Sequence, residues 1–277
     1  MSNPRCFVLI LLIVLSCRNC PVSAADLGAM QVFKTKQGTR FGLFGKRPES
    51  PGPTFFVFAT SIEEMARERI YTTTGRKLAG QGWLYVTLDP PCHGIDQKKG
   101  EPRTLSGWAH RVKKGQDLMK PFVSRCRDVL DWLVAKGYTD PKRVAVGGTS
   151  RGGLCALHFM AAEPRVKAMV GISPVTNVLA LREFSGVKRT QVKKCNAAGL
   201  ANQLAGRAIW ISIGNDDKRV STDDCIATTR RFVAAARKKN PNANAPIELV
   251  IAPSKGHTNI DRAYERGAAF VLKQMRR

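Results

Sequence analysis

The chain lacks the features that mark membrane, metal-binding and disulfide-rich proteins. It has 277 residues, and no stretch after the first two dozen is apolar enough to cross a membrane. Three of its eight cysteines fall in those first residues, and the other five contain no CxxC pair. No spacing of histidine, cysteine or carboxylate residues is typical of a metal site. We therefore predict no zinc site, no disulfide framework, and no metal or organic cofactor.

Acidic residues are also scarce. The chain has 21 Asp and Glu against 45 Lys and Arg, which gives a formal net charge of +24. Such an excess favours acidic partners, such as polyanionic glycans, anionic lipid surfaces or nucleic acid. The basic residues are scattered, however, and become denser only at 182–194 and 230–239. Aromatic residues do not interleave with them, so we predict a cationic, solvated surface and no specific nucleic-acid partner.

Residues 1–24 have the pattern of a secretory signal peptide. Arg5 precedes a short apolar run, and a small-x-small sequence ends at Ala24. A membrane span needs about 20 apolar residues, so the run is too short to cross a bilayer comfortably. We predict cleavage after Ala24 and a secreted or periplasmic protein, with an uncleaved anchor or a lipoprotein at Cys17 as alternatives. Loss of Arg5 and Arg18 with this leader lowers the charge from +24 to +22.

The predicted mature chain keeps five cysteines, which is an odd number. They are Cys92, Cys126, Cys155, Cys195 and Cys225. Cys155 lies among small apolar residues and is predicted to be a buried thiol. An exported protein can still carry one or two bridges, and Cys195 with Cys225 is the first pair to test.

Residues 26–277 are predicted to form one α/β domain, in which strand-like runs alternate with amphipathic helical segments. The runs are MQVFKT, RFGLFG, TFFVFAT, WLYVTLD, RVAVGG, VKAMVGIS, AIWISIG and IELVIAP. We expect one helix over 62–82 and a polar loop over 90–116. Right-handed crossovers then give a mainly parallel sheet covered on both faces. The basic stretch 175–206 is the one candidate insertion.

The sequence GGTSRGG, residues 147–153, satisfies the pattern G-x-S-x-G between a predicted strand and a predicted helix. In such a sharp turn, side chains two before and two after the serine would clash, and Gly148 and Gly152 leave room. The hydroxyl of Ser150 is then presented at a helix N-terminus, where the dipole and free N–H groups favour negative charge. We predict that Ser150 is a nucleophile.

A nucleophilic serine needs a base, and the base needs an orienting acid. His257 follows the last predicted strand, in APSKGHTN, and is the predicted base. Asp217, in GNDDKRV, is the predicted acid, with Asp216 as the alternative. Ser150, Asp217 and His257 each follow a different strand, so they are expected at one edge of the sheet, where open α/β sheets bind ligands.

The other three histidines are weaker candidates. His158 falls inside the helix after Ser150 among apolar residues, and we predict a packing role. His93 and His110 precede the serine in the predicted loop, and either could line the cleft.

GGTSRGG and GNDDKRV resemble the α/β-hydrolase superfamily, and most of all its prolyl-oligopeptidase and dienelactone-hydrolase/acetyl-esterase branches. The similarity covers nearly all of residues 30–277. It implies an α/β-hydrolase fold: a mainly parallel sheet of the eight-stranded type with helices on both faces, here with a small basic insertion. It also implies a nucleophilic Ser150, an acidic Asp217 and a basic His257.

The resemblance further implies an oxyanion hole made by the N–H of Arg151 and an N–H just after the third strand. Family members often have His-Gly there, whereas this chain has Ala59, Thr60 and Ser61. Thr60 and Ser61 are therefore the candidates for the second donor. DPPCHG resembles another family region, in which Asp89 is expected to fix the loop.

Together these features predict an exported serine hydrolase that cleaves carboxylic esters through an acyl-enzyme. An ester is favoured over a peptide because 277 residues leave no room for the β-propeller of larger prolyl oligopeptidases. The guanidinium of Arg151 could bind a substrate carboxylate, and with 182–194 it favours a small-molecule or glycan ester that carries negative charge. The alternatives are a peptidase with the same residues and a non-catalytic polyanion-binding protein.

Overall fold

A computed structural model describes residues 29–276. Its centre is one eight-stranded sheet in the order β1-β2-β4-β3-β5-β6-β7-β8. The strands are β1 (Gln31–Lys34), β2 (Arg40–Phe44), β3 (Gly52–Phe58), β4 (Leu84–Thr87), β5 (Thr139–Thr149), β6 (Val166–Ile172), β7 (Ala208–Gly214) and β8 (Ile247–Ala252). Strand β2 pairs antiparallel with β1 and β4, and the other pairings are parallel.

Eight helices are described, and they cover both faces of the sheet. They are α1 (Ile62–Arg67), α2 (Arg69–Ala79), α3 (Thr104–Lys113), α4 (Met119–Ala135), α5 (Arg151–Ala162), α6 (Ala201–Leu204), α7 (Thr222–Lys239) and α8 (Ala263–Met275). Helices α1, α2 and α8 contribute to the core on one face, and α3, α4, α5 and α7 to the core on the other. The predicted α/β-hydrolase fold, with its mainly parallel sheet, is confirmed.

The two cores follow from the alternation of side chains along the strands. In β3, Phe56 and Phe58 point into the core under α4 and α5, while Phe55 and Val57 point into the core under α2 and α8. All four side chains are buried. A continuous apolar run is typical of a strand covered on both faces. The parallel pairing of β3 with β5 places Phe58 beside Gly148, so the two strands end at about the same level.

Two helix predictions were wrong. The single helix expected over 62–82 is two helices, because Glu68 adopts an extended conformation between them (φ −86°, ψ 90°). The loop expected over 90–116 contains α3, whose residues Leu105, Trp108 and Val112 are buried. The indole N–H of Trp108 donates to the carbonyl of Pro91 at 2.5 Å, and this bond ties α3 to the chain that follows β4.

Residues 175–206 pack against helices α3, α5 and α7 and do not form a separate domain. They contain short 3₁₀ turns at Val178–Ala180, Arg182–Phe184 and Ala197–Leu200, followed by α6. Phe184 and Val192 are buried in the core under α5 and α7. The segment is therefore anchored, although its lysines and arginines give it the expected basic character.

All five described cysteines are buried free thiols. The suggested Cys195–Cys225 bridge is therefore wrong in this structure. Cys195 lies in the 175–206 segment and Cys225 lies in the first half of α7, and each is enclosed in the core. Burial raises the pKa of Cys195 and of Cys155 to a value above that of a free thiol, so neither forms a thiolate readily.

The predicted signal peptide, residues 1–24, lies outside the described residues. Among helices of residues 29–276, none is both long and apolar enough to cross a membrane.

Candidate active site

Ser150 lies at the turn between β5 and α5, in a strained conformation. Its φ of +54° and ψ of −118° fall outside the regions that L-residues normally adopt. The turn is tight on both sides, because a Cβ at Gly148 would meet the backbone of Gly152, and a Cβ at Gly152 would meet the carbonyl group of Phe58. The two glycines therefore permit the close approach of α5 to β3 that presents the serine hydroxyl, as the sequence predicted.

The structure brings Ser150, His257 and Asp217 together. Nε2 of His257 is 3.1 Å from Oγ of Ser150, and Nδ1 of His257 is 2.7 Å from Oδ2 of Asp217. The side chain of Asp217 is fully buried, whereas that of His257 is 30% exposed at the surface of the cleft. The chain of contacts therefore runs from a buried carboxylate through an accessible imidazole to the serine hydroxyl.

The loop after β7 holds the carboxylate in place. Oδ1 of Asp217 accepts the backbone N–H groups of Arg219 and Val220, at 3.0 and 3.2 Å. The hydroxyl of Thr222 accepts the N–H of Asp217 and donates to the carbonyl of Gly214. One carboxylate oxygen is thus occupied by the backbone, and the other is left for the imidazole.

The alternative acid, Asp216, is not a hydrogen-bond partner of the imidazole. Its side chain is 68% exposed, and its one ion pair among the described residues is with Lys218 at 3.7 Å. The two adjacent carboxylates therefore differ sharply in environment, and only Asp217 contacts His257.

A cleft of about 520 Å³ opens in front of Ser150, and its wall is formed by helices α2, α3 and α5 and by the loops after β3, β7 and β8. Ile70, Tyr71 and Leu105 give it an apolar side, and Ile70 is half exposed. Thr258 and Asn259 lie beside the histidine. This volume suits a small molecule or a short portion of a polymer.

Of the residues expected to form the oxyanion hole, Arg151 lines the cleft, whereas Thr60 and Ser61 do not. As the first residue of α5, Arg151 has an N–H without an acceptor inside its helix, and the residue lines the cleft. After β3, Ala59 lines the cleft, whereas Thr60 and Ser61 do not. The hydroxyl of Thr60 donates to Glu64, and that of Ser61 caps α1 by accepting the N–H of Glu64. A donor role for the N–H groups of Thr60 and Ser61 stays a prediction.

Two arginines give the cleft its electrostatic character. Burial lowers the pKa of the Arg151 guanidinium, and its Nε is a buried donor without a hydrogen-bond partner among the described residues. Arg219 also lines the cleft, and its guanidinium is 2.7 Å from Oε1 of Glu183 in the 175–206 segment. None of the described residues that line the cleft is acidic. Sequence reasoning missed Arg219, although it stands in the GNDDKRV motif.

The other three histidines do not line the cleft in front of Ser150. His158 is buried in α5, and its Nε2 lies 2.8 Å from the carbonyl oxygen of Cys195, which agrees with the predicted packing role. His93 is buried in the loop that follows β4, and burial lowers its pKa to about 4. Asp89 accepts the N–H groups of Ile62 and Ile95, as expected for a residue that fixes the loop. The described residues contain no group of ligands that could hold a metal ion.

A strained serine beside a histidine and a buried carboxylate, at the carboxyl ends of a mainly parallel sheet, is the arrangement of α/β-hydrolases. Residues 107–277 match the sequence profile of the prolyl oligopeptidase family, which is more than half of the chain. The chain belongs to that family and is a serine hydrolase. No curated protein matches its sequence.

Solved structures with this fold include both peptidases and esterases. A dipeptidyl peptidase 4 from Porphyromonas gingivalis superposes with a TM-score of 0.64 and 17% identity, over 88% of this chain and 35% of that one. An acetyl xylan esterase from Paenibacillus sp. R4 gives 0.64 and 17%, over 88% and 83%. An esterase from Pyrococcus furiosus gives 0.62 and 17%, over 99% and 100%. The chain thus spans about a third of the dipeptidyl peptidase and most of the two esterases.

Proposed function

We propose that the protein is an exported hydrolase of carboxylic esters that works through an acyl-enzyme on Ser150. The observation that carries this proposal is the continuous set of contacts from Asp217 through His257 to the Ser150 hydroxyl, at 2.7 and 3.1 Å. These are the distances over which a base takes a proton from a nucleophile. The strained backbone of Ser150 supports the same role, because strain of this kind clusters at active sites.

In the first half-reaction, Oγ of Ser150 attacks the carbonyl carbon of the ester while Nε2 of His257 takes the hydroxyl proton. The carbonyl oxygen becomes an oxyanion, which the N–H of Arg151 and one N–H of the loop after β3 stabilise. The C–O bond to the alcohol then breaks, and His257 returns the proton to the departing alkoxide. In the second half-reaction a water molecule repeats these steps on the acyl-enzyme and releases the carboxylic acid.

Asp217 has an orienting role in this mechanism. Because its Oδ2 lies against Nδ1 of His257, it holds the Nδ1–H tautomer and leaves the lone pair of Nε2 facing Ser150. The carboxylate also stabilises the imidazolium that forms when the proton arrives. Its two backbone hydrogen bonds, from Arg219 and Val220, limit its rotation during this charge change.

The charge of the cleft favours an ester over the N-terminal part of a peptide. An enzyme that binds a free peptide N-terminus needs a negative group for its ammonium, and the described lining of this cleft has none. Arg151 and Arg219 line it instead, and the guanidinium of Arg219 is ion-paired with Glu183. A neutral or anionic acyl or alcohol group fits this environment better than a cationic one.

The substrate class that we propose is therefore an ester with a negative charge close to the scissile bond, such as an acidic glycan ester. The guanidinium of Arg151 is the group proposed to bind that charge, because Arg151 lines the cleft and makes no ion pair with another described residue. Arg151→Gln should lower kcat/KM about tenfold for an anionic ester and leave a neutral ester of the same alcohol within about twofold. Equal effects on the two esters would remove the anionic preference and leave the esterase proposal intact.

The experiment that tests ester against peptide chemistry compares p-nitrophenyl acetate with glycyl-prolyl p-nitroanilide. We expect turnover of the ester, with a kcat/KM at least about a hundredfold above that for the anilide. Faster cleavage of the anilide would favour the alternative, a peptidase with the same residues. Turnover of neither, combined with salt-sensitive binding to a polyanion, would favour a binding protein.

Export is part of the proposal because of residues 1–24, whose pattern is that of a cleaved leader. N-terminal sequencing of protein recovered outside the cytoplasm should begin just after Ala24. A mature N-terminus at a lipid-modified Cys17 would favour the lipoprotein alternative instead.

A further inference from the structure

A second cavity, with about the same volume as the catalytic cleft, lies between α4, α5 and residues 193–203. It has a volume of about 510 Å³ and shares no lining residue with the cleft in front of Ser150. Six residues that define it are Met119, Val123, His158, Lys193, Lys194 and Leu200. We call this cavity the α4–α5 groove. His158 stands eight residues beyond Ser150, so about 12 Å of helix separates the two sites.

The floor of the groove is apolar. Met119 and Val123 come from α4, Ala161 and Ala162 come from α5, and Leu200 comes from the 175–206 segment. Met119 and Val123 are themselves buried, so their contact surface within the groove is fixed by the core. An apolar group of a ligand gains free energy by covering this floor.

The rim of the groove is cationic. Lys120, Lys193 and Lys194 are exposed, and none of them makes an ion pair with another described residue. The one carboxylate that lines the groove is Asp117, whose Oδ1 already accepts the backbone N–H groups of Met119 and Lys120 at 3.1 and 3.0 Å. Since that carboxylate caps α4, the three ammonium groups remain available for an anion.

Among the lining residues that come from α5, His158 is the polar one. Nε2 of His158 is 2.8 Å from the carbonyl oxygen of Cys195, which only accepts hydrogen bonds, so Nε2 carries the proton. Burial lowers the pKa of His158, which favours the neutral ring. Nδ1 then has a lone pair, and the one side-chain hydrogen bond of His158 within residues 29–276 is that of Nε2. A ligand with an O–H or N–H donor can supply a partner for Nδ1.

We propose that the α4–α5 groove is a second binding site, separate from catalysis, for a small amphiphilic carboxylate that carries a hydrogen-bond donor. The apolar body covers Met119, Val123 and Leu200. The carboxylate lies at Lys193 and Lys194, and the donor binds Nδ1 of His158. This site does not depend on the function proposed for Ser150.

Calorimetric titration of the full chain with 4-hydroxycinnamate tests the proposal, because this probe has an aromatic body, one carboxylate and one hydroxyl. Two analogues each lack one feature: 4-hydroxycinnamamide lacks the charge and cinnamate lacks the hydroxyl. We expect saturable binding of the probe, with Kd raised about tenfold for the amide and about fivefold for cinnamate. No saturable binding of the probe, or equal binding of all three compounds, would overturn the proposal.

Paired variants locate the binding. Lys193→Gln with Lys194→Gln should raise Kd about tenfold, and Ala161→Phe should abolish binding by filling the groove. Lys188→Gln with Arg189→Gln changes the same charge in the same segment outside the groove lining, and should stay within about twofold. Ser150→Ala, in the catalytic cleft, should leave binding in the groove unchanged. An equal loss in either control variant, or unchanged binding in both groove variants, would contradict this site.

Discussion

The guanidinium of Arg219 lies 2.7 Å from Oε1 of Glu183, so an ion pair ties the 175–206 segment to the loop that carries Asp217. The backbone N–H of Arg219 also donates to Oδ1 of Asp217. The basic segment therefore contacts the residue that helps to hold the proposed catalytic acid.

If the ion pair steadies the acid loop, Glu183→Gln should lower kcat about fivefold to tenfold, with a smaller change in KM. The reason is that the guanidinium of Arg219 then loses its ion-pair partner, while the N–H of the same residue donates to Asp217. Steady-state kinetics with a neutral ester measures the effect. Arg182→Gln is the control, because it removes only the longer, 3.8 Å contact of an exposed side chain with Glu183 and leaves the Arg219 pair in place, and it should keep wild-type kinetics. Equal kcat values for the two variants would show that the ion pair does not act on the site.

Asp217→Asn should lower kcat about 10⁴-fold without unfolding the protein. An amide in this position cannot stabilise the imidazolium of His257, and it can hold the wrong tautomer. Asp216→Asn is the matched control, because it removes the same charge from the neighbouring residue, whose side chain is exposed. We expect less than a twofold change for the control. Comparable losses in the two variants would contradict the assignment of the acid.

Gly152→Ala should destabilise the protein by about 3 kcal/mol or more, or prevent folding. Its Cβ would collide with the carbonyl of Phe58, and the backbone of α5 cannot withdraw without moving Ser150. Gly52→Ala is the control, because a Cβ there has no neighbour closer than 3.7 Å. Urea unfolding of both variants measures the difference. Wild-type stability of Gly152→Ala would mean that the turn is less tight than described.

The contacts of Glu163 with Arg165 should make the free energy of unfolding sensitive to acid. Burial raises the pKa of its carboxyl, but hydrogen bonds and charge from Arg165 and the charge of Arg127 outweigh this, and the net pKa is below 4.5. The stabilisation is therefore complete above about pH 4.5 and is lost as the pH falls through the lower pKa of the folded state.

Glu163→Gln should consequently cost about 1–3 kcal/mol at pH 7 and much less at pH 3. Urea unfolding at several pH values checks this. Glu248→Gln breaks an exposed pair with Lys273 at 3.8 Å and should change stability by less than about 0.5 kcal/mol at either pH. A cost for Glu163→Gln that does not vary with pH would contradict the role of the charge.

The sequence predicted correctly those parts of the fold in which a local pattern is compatible with one structure only. The strand–turn–helix around Ser150 required two glycines, and the runs before Asp217 and His257 were apolar and short. The sheet edge then followed from topology, since parallel strands end on the same side. Ser150 is not alone in its backbone strain, since Ser221 in the loop after Asp217 has a φ of +65°, and Gly256 directly before His257 has a φ of +61°.

Helix α3 could have been found from the sequence. Leu105, Trp108, Ala109 and Val112 have the spacing of one helical face. The surrounding lysines and glycines, and the breaker at Pro102, gave the segment the composition of a loop. The break at Glu68 has no such signal, because neither glycine nor proline is present there. It arises from tertiary packing, in which Met65 and Leu78 both reach the same core on either side of the break.

The most direct test of the account is the intact mass and peptide map of the protein after treatment with a fluorophosphonate. We predict one adduct per chain, located on the peptide that contains Ser150, with complete loss of esterase activity and no adduct on Ser150→Ala. An adduct on another residue, or wild-type esterase activity in Ser150→Ala, would contradict acyl transfer at this serine.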